Sequence, residues 1–188
     1  MFKNIFQRII YFIIQPTQSW ETATEEDQEV DKLLSGYLYP IFGTITLAAF
    51  IGSFWAGQSI EVALKASIRE FSAAFAGFYL ASFLLKEIME RYFEKSTLKR
   101  CQFFVAYSSS LIYLVSIAGS LTNGFGLFYL CLPYTVYIVW EGASSFMAVK
   151  EEQQLKFTTL ATIVLASPFL ISFVINKFML ITPIHAAG

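Results

Sequence analysis

The sequence predicts an all-α integral membrane protein, a five-helix transmembrane bundle with an N-terminal amphipathic interfacial helix. Hydrophobic residues make up 56% of the 188 residues, charged residues only 14%, and the mean hydropathy is +0.57. Soluble domains carry about 25% charged residues, so this chain has too few to cover a water-soluble surface. The 18% of aromatic residues also excludes a disordered chain, which would be rich in charge and poor in aromatic side chains.

Residues 1–36 are predicted to form a cytoplasmic amphipathic helix and an acidic linker. Apolar residues recur with helical spacing at Phe2, Ile5, Phe6, Ile9, Ile10 and Ile13. Such a helix either lies in the interface plane or docks against the spans, and both can hold for one helix. Acidic residues follow at Glu21, Glu25, Glu26, Asp27, Glu29 and Asp31. This acidic run either docks a basic partner or is a solvated linker.

Residues 37–188 are predicted to form the membrane domain. A bilayer core about 30 Å thick requires about 20 apolar residues in a helix. Five stretches are assigned as spans, at about residues 37–55, 71–85, 103–121, 125–147 and 158–175. Residues 86–100 are interpreted as a helical extension of the second span that faces anionic headgroups. Pro133 and Pro168 lie inside the fourth and fifth spans and are predicted to kink them.

Small residues predict where the spans approach one another, because lipid supplies no hydrophobic force between helices. Ala73, Gly77 and Ala81 form such a stripe on the second span. Ala48, Ala49, Gly52 and Ser53 do the same on the first. We expect both faces to pack on neighbouring helices, either of the same chain or of a second copy.

The basic residues predict the orientation of the chain. Ten of the 13 fall on one side of the five-span topology, namely Lys3, Arg8, Lys32, Lys86, Arg91, Lys95, Lys99, Arg100, Lys150 and Lys156. The positive-inside rule then places the N-terminus in the cytoplasm and the C-terminus outside. Membrane lipids are therefore expected partners. The net charge of −1 offers no basic field for nucleic acid, so no nucleic-acid partner is expected.

The chain is predicted not to be an enzyme. No histidine accompanies the serines at 108–110, His185 lies in the C-terminal tail, and no phosphate loop or metal-binding motif occurs. No catalytic residue, cofactor-binding residue or metal ligand is therefore assigned. We expect the three serines to bond to helix carbonyls or to neighbouring helices.

Glu141 is the charged side chain that the prediction places well inside a span. An ionisable residue at that depth is a candidate functional residue by default. The alternative is a carboxylate near the inner interface that accepts hydrogen bonds from Tyr or Ser hydroxyls on adjacent spans.

Several short motifs, taken in order, resemble the Yip (Ypt-interacting protein) domain family, particularly its short bacterial members. Pro16, Trp20 and nearby acids follow the N-terminal helix, and the segment 36–40, Gly-Tyr-Leu-Tyr-Pro, enters the first span with Tyr39 and Pro40. Two further motifs are Ala-Tyr-Ser-Ser at 106–109, with Tyr107 and Ser108, and Tyr-Ile-Val-Trp-Glu-Gly at 137–142, which ends at Glu141 and Gly142. The third span lacks the proline that often follows the family's tyrosine, and the long proline-rich arm of eukaryotic members is absent.

The resemblance implies an integral membrane protein with a cytoplasmic N-terminus, here in a bacterial cytoplasmic membrane. Eukaryotic members bind small GTPases and other Yip proteins, and they shape or sort membranes. The first hypothesis is therefore a non-catalytic scaffold or adaptor in membrane organisation, partnered by a second copy or by another membrane protein. The alternative is a small transporter or channel that uses Glu141 and the kinked fourth and fifth spans, including Pro133.

Overall fold

A computed structural model describes residues 2–25, 29–122 and 130–178, and the regular elements within these ranges are all helical. The helices are α1 (Phe2–Ile14), α2 (Pro16–Glu25), α3 (Val30–Leu33), a π-helical segment (Leu34–Leu38), α4 (Tyr39–Trp55), α5 (Ile60–Tyr92), α6 (Leu98–Ser108), α7 (Ser110–Leu121), α8 (Tyr134–Ser145), α9 (Glu151–Leu165) and α10 (Ser167–Phe178). The fold is therefore a helical bundle.

Among the residues that the structure describes, three helical segments are long and apolar enough to cross a membrane. They are Val30–Trp55, Ile60–Tyr92 and Glu151–Phe178, and they contain the first, second and fifth predicted spans. Helices α6 and α7 count as a fourth span if they are taken together, although they are bent by 46°. Residues 130–147 of the fourth predicted span are described, and the helix within them, α8, has 12 residues, which are too few to cross a bilayer core alone. Residues 125–129 of that span lie outside the described residues.

Helix α5 is the longest element, with 33 residues. Its start is defined by Ser59, whose hydroxyl accepts a hydrogen bond from the backbone N–H of Val62 at 3.3 Å. The helix ends at Tyr92, and α6 begins after Thr97, which caps the N–H of Arg100 at 3.2 Å. The prediction of one helical extension over residues 86–100 is therefore wrong beyond Tyr92, because a second capped helix starts within it.

The two prolines of the predicted kinks occupy different positions. Pro133 is exposed and directly precedes α8, so it begins this helix and does not kink it. The prediction for Pro133 is wrong. Pro168 is the second residue of α10, after an interruption at Ala166 that separates α9 from α10. Its missing N–H costs nothing in this first turn, since the first N–H groups of a helix have no intrahelical partner.

Both small-residue stripes pack against helices of the same chain. This is one of the two predicted alternatives, the other being packing against a second copy. A Cβ atom at Gly77 would lie 2.6 Å from Cγ of Pro168, and the Ser167 hydroxyl donates to the Gly77 carbonyl at 3.1 Å. Gly52 lies against the backbone of Ser120 in the same way. Glycine at these two positions therefore sets how closely α5 approaches α10 and α4 approaches α7.

Candidate functional site

The N-terminal helix pair, α1 and α2, packs on α6, α7 and α8. Its buried face runs through Ile5, Ile9 and Phe12 of α1 and continues through Pro16 and Trp20 of α2. Docking against the bundle is one of the two alternatives that the sequence left open. Ile10, one member of the predicted stripe, is 46% exposed and is not part of this docked face, and the other alternative, a position in the interface plane, stays a prediction.

Trp20 is the centre of this contact and is fully buried. Four aromatic rings surround its indole, at centroid distances of 5.1 Å for Phe12, 5.2 Å for Phe104, 5.2 Å for Phe146 and 6.2 Å for Tyr107. We call these five residues the Trp20 cluster. Edge and offset contacts between aromatic rings add about 0.5–1.5 kcal/mol per pair to the burial of their surface. The cluster therefore joins α1 and α2 to α6 and the end of α8.

Gly142 of α8 makes room for the indole. A Cβ atom at this position would lie 2.5 Å from Cε2 of Trp20 and 2.9 Å from Cε2 of Phe104. These distances are shorter than atoms can adopt without displacing an aromatic ring, and both rings are held on all sides. Glycine is therefore required here for a close approach of α2 to α8.

Three hydrogen bonds connect the N-terminal helix pair to one face of α8. The Tyr134 hydroxyl donates to the Ile13 carbonyl at 2.9 Å, and the Trp20 indole N–H donates to the Ile138 carbonyl at 2.9 Å. The Thr17 hydroxyl donates to Oε2 of Glu141 at 2.8 Å. Positions 134, 138 and 141 follow one another with helical spacing, so a single face of α8 carries all three contacts.

Glu141 is half-buried and borders the N-terminal helix pair. The sequence left open a structural alternative for Glu141, in which its carboxylate accepts a hydrogen bond from a Tyr or Ser hydroxyl on an adjacent span. This prediction is wrong about the donor. The donor is Thr17 of α2, which lies 124 residues away in the sequence. The contact gives this carboxylate a structural partner at the surface of the bundle.

Two guanidinium groups border the Trp20 cluster. The Cζ atom of Arg8 lies 4.8 Å from the ring centroid of Tyr107, and that of Arg100 lies 5.5 Å from the ring centroid of Phe146. Arg100 also donates through Nε to the Phe146 carbonyl at 2.9 Å, and through Nη2 to the same oxygen. A cation over an aromatic face stabilises both groups. The first turns of α6 are thereby joined to the end of α8.

The serines at 108–110 lie where α6 ends and α7 begins. The Ser110 hydroxyl donates to the Tyr107 carbonyl at 2.6 Å and lies 2.9 Å from the Tyr37 hydroxyl, so the prediction of structural hydrogen bonds is confirmed for this serine. The Ser108 hydroxyl is buried and has no hydrogen-bond partner among the described residues. Tyr107 stacks on Phe12 at 4.6 Å and thus connects this bend to α1.

The structure brings together Pro16, Trp20, Tyr107, Glu141 and Gly142 of the predicted candidate residues. Ser108 is adjacent to Tyr107 in the chain but makes no hydrogen bond with the cluster. The remaining candidates lie apart from the cluster. Tyr39 is exposed at the start of α4, Pro40 accepts a hydrogen bond from Thr44 through its carbonyl at 2.8 Å, and Pro133 precedes α8.

The sequence interpretation missed six residues of this site, namely Phe12, Thr17, Arg100, Phe104, Tyr134 and Phe146. Only Phe12 had a local signal, since it follows Ile5 and Ile9 at helical spacing and precedes Pro16 by four residues. The other five act through partners that are distant in the sequence, which no local pattern indicates.

A groove of about 440 Å³ lies between α1 and α2 and is lined by the apolar rings of Tyr11 and Phe12 and by polar side chains such as Gln7, Gln15, Gln18 and Thr22. Glu21 and Glu25 are exposed on α2, and Glu29 and Asp31 are exposed just beyond it. Glu26 and Asp27 of the predicted acidic run lie outside the described residues. Helix α2 therefore presents a polar and partly acidic outer surface, whereas α1 exposes Ile10, Tyr11 and Ile14.

Within residues 2–25, 29–122 and 130–178, no group of three or more His, Cys, Asp or Glu side chains is arranged to hold a metal ion. No family model, curated protein or solved structure matches this chain.

Proposed function

We propose that this chain is a non-catalytic scaffold or adaptor of the Yip type, set in the bacterial cytoplasmic membrane by five spans, with its N-terminus in the cytoplasm and its C-terminus outside. The observation that carries the proposal is the docked N-terminal helix pair. Motifs of the Yip resemblance, at Pro16, Trp20, Tyr107 and Gly142, meet in one buried contact. Proteins that share a fold would share the residues that form such a contact, so the meeting of these motif residues supports the resemblance.

The docked pair supplies a rigid surface for a partner. Its inner face packs in the Trp20 cluster and forms hydrogen bonds to α8. Its outer face exposes Gln18, Glu21, Thr22 and Glu25. A surface that is already ordered binds without the entropic cost of folding a free segment. We propose that its acidic residues recognise a basic segment of a second copy or of another membrane protein.

Photo-crosslinking in cells tests this proposal. Trp20 is fully buried, so the photoreactive residue belongs at Gln18 or Thr22, which are exposed on the same helix. The expected result is one reproducible protein product, identified by mass spectrometry as this chain or as another membrane protein. Lipid adducts alone would contradict the scaffold.

A matched control places the same photoreactive residue at Gln58, which is exposed in the α4–α5 connection. Capture from Gln18 that is absent from Gln58 and is lost in Glu21→Lys/Glu25→Lys supports an acidic docking surface. Equal capture from both positions indicates collisions in the membrane and overturns the assignment of this surface.

Transport through Glu141 is the alternative function. Its carboxylate lies against Thr17, beside the N-terminal helix pair, and is not among the residues that line the internal cavity of the membrane domain. This placement favours the scaffold. Replacing Glu141 with Gln should leave ion and solute fluxes of reconstituted vesicles unchanged, and a lost flux would restore the alternative.

A further inference from the structure

A cavity of about 330 Å³ lies among α4, α5, α7 and α10, which we call the membrane-domain cavity. It is in the size range of small-molecule sites. The Trp20 cluster lies elsewhere in the bundle. No residue of the cluster lines the cavity, and along the chain the two regions are nearest between Tyr107 and Ile112, on either side of the bend at Ser109.

Charged and polar groups line one part of this cavity, namely Arg69, Glu70, Ser53, Ser116, Ser120 and Ser172. Among the described residues, none of the four serine side chains has a hydrogen-bond partner within the protein. The rest of the wall is formed by alanine and isoleucine side chains together with Tyr113, Pro168, Phe169 and the backbone at Gly119. The cavity therefore combines free hydroxyl groups with an apolar surface.

Arg69 and Glu70 give the cavity one positive and one negative group. Arg69 donates through Nε to Oε1 of Glu70 at 3.1 Å, and its Nη2 lies 3.1 Å from the same oxygen as an ion pair. Its Nη1 donates to Oδ1 of Asn176 on α10 at 3.3 Å. Within the described part of the chain, nothing donates to Oε2 of Glu70, and guanidinium N–H groups of Arg69 remain available.

These features select the charge of a ligand. A simple anion near Arg69 would be repelled by Glu70, and a simple cation near Glu70 would be repelled by Arg69. A zwitterion meets both groups favourably, with its oxyanion toward Arg69 and its ammonium toward Oε2 of Glu70. The serine hydroxyls bond to either end, and the apolar wall covers carbon atoms.

We propose that the membrane-domain cavity binds a zwitterionic group in which an ammonium is joined to a phosphate, through Glu70 and Arg69. Two sources carry this chemistry, the headgroup of phosphatidylethanolamine and free phosphoethanolamine. The site is independent of the proposed scaffold function, because no residue of the N-terminal helix pair lines the cavity.

Native mass spectrometry of the full chain in detergent tests the proposal, with phosphatidylethanolamine and phosphatidylglycerol offered in equal amounts. We expect preferential retention of phosphatidylethanolamine, and about tenfold weaker retention in Glu70→Gln, because a charged hydrogen-bond partner is lost. The matched control is Glu61→Gln, which removes a carboxylate from the same helix outside the cavity and should retain the lipid like the native chain. Equal retention of both lipids, or an unchanged Glu70→Gln, overturns the proposal.

Soluble phosphoethanolamine distinguishes the two sources. If it binds alone and displaces the lipid, the site serves the free compound; if the lipid binds and is not displaced, the site serves the headgroup. Binding of neither compound overturns the proposal. Should Glu70→Gln fail to fold, Ser172→Phe fills the cavity from α10 with the ion pair intact, and it must also abolish retention.

Discussion

The Trp20 cluster and the membrane-domain cavity use polar groups in opposite ways. At the cluster the Trp20 indole N–H, and beside the cluster the Tyr134 and Thr17 hydroxyls, all form hydrogen bonds between helices. At the cavity, four serine hydroxyls and one oxygen of Glu70 are left without protein partners among the described residues. The difference teaches that one region holds the chain together, whereas the other remains open to a ligand.

The largest expected effect breaks the cluster at its centre. Trp20→Ala removes a fully buried indole and its hydrogen bond to the Ile138 carbonyl, so we expect a loss of about 3–5 kcal/mol in the free energy of unfolding. Denaturant titration in mixed micelles measures this loss. Trp55→Ala is the matched control, since Trp55 is 76% exposed, and it should change the free energy little. Equal losses would show that the cluster is not a structural centre.

A smaller effect is expected where the cluster depends on a missing side chain. Gly142→Ala forces a methyl group against Trp20 and Phe104 and should cost about 1–3 kcal/mol. At Gly43 of α4, a Cβ atom would meet nothing within 4 Å, so Gly43→Ala should instead stabilise the helix by up to about 1 kcal/mol. Thermal unfolding of the two variants measures the change in stability. A loss in Gly142→Ala and a gain in Gly43→Ala would support the close approach of α2 to α8. Two variants of the same sign would contradict it.

The peripheral hydrogen bond of the helix pair should matter less. Thr17→Val removes the donor to Glu141 without changing the shape of the side chain, and we expect a loss of about 0.5–1.5 kcal/mol. Hydrogen exchange of the α2 amides should rise in the same variant. Thr22→Val is the control on this helix, because the Thr22 hydroxyl donates only to the Gln18 carbonyl of its own helix. Identical hydrogen-exchange rates in the two variants would show that the hydrogen bond from Thr17 to Glu141 does not stabilise the docked helix pair.

The smallest expected quantity is the coupling between the two regions. Gly142→Ala perturbs the cluster, and Gly52→Ala pushes α4 away from the Ser120 backbone beside the cavity. The two sites share no partner, so the free-energy losses should add to within about 0.5 kcal/mol in the double variant. A larger interaction energy would mean that the regions form one cooperative unit.

Several parts of the fold followed from local patterns. The first predicted span, 37–55, lies within the helical segment that ends at Trp55, and the stripes at Gly52 and Gly77 are buried against α7 and α10. These patterns succeed because helix length and close packing depend on composition over a few turns. The fourth span could not be delimited in this way, since Pro133 is compatible both with a kink and with a helix start.

The sequence identified several residues of the site but not how they contact one another. Trp20, Tyr107 and Gly142 were singled out from short motifs, but the contacts of Trp20 with Tyr107 and with Gly142 each join residues more than 80 positions apart. The predicted stripe of α1 includes residues that are buried and one, Ile10, that is exposed, because this helix is apolar around more than half of its circumference. Which apolar residues are buried is then decided by the partner surface on α6 and α7, not by the periodicity of α1.

The long sequence separation of the cluster affects how the chain is made. The indole of Trp20 bonds to Ile138, 118 residues later, so the docking surface of α8 does not exist while the first two helices leave the ribosome. At a synthesis rate of about 5–20 residues per second, the wait lasts roughly 6–24 s. During this interval the apolar side of α1 must be kept from water by something other than its final partners, and the membrane surface is the nearest apolar environment. We therefore expect each molecule to pass through a stage in which its N-terminal segment rests on lipid before it docks onto the helices that are made later.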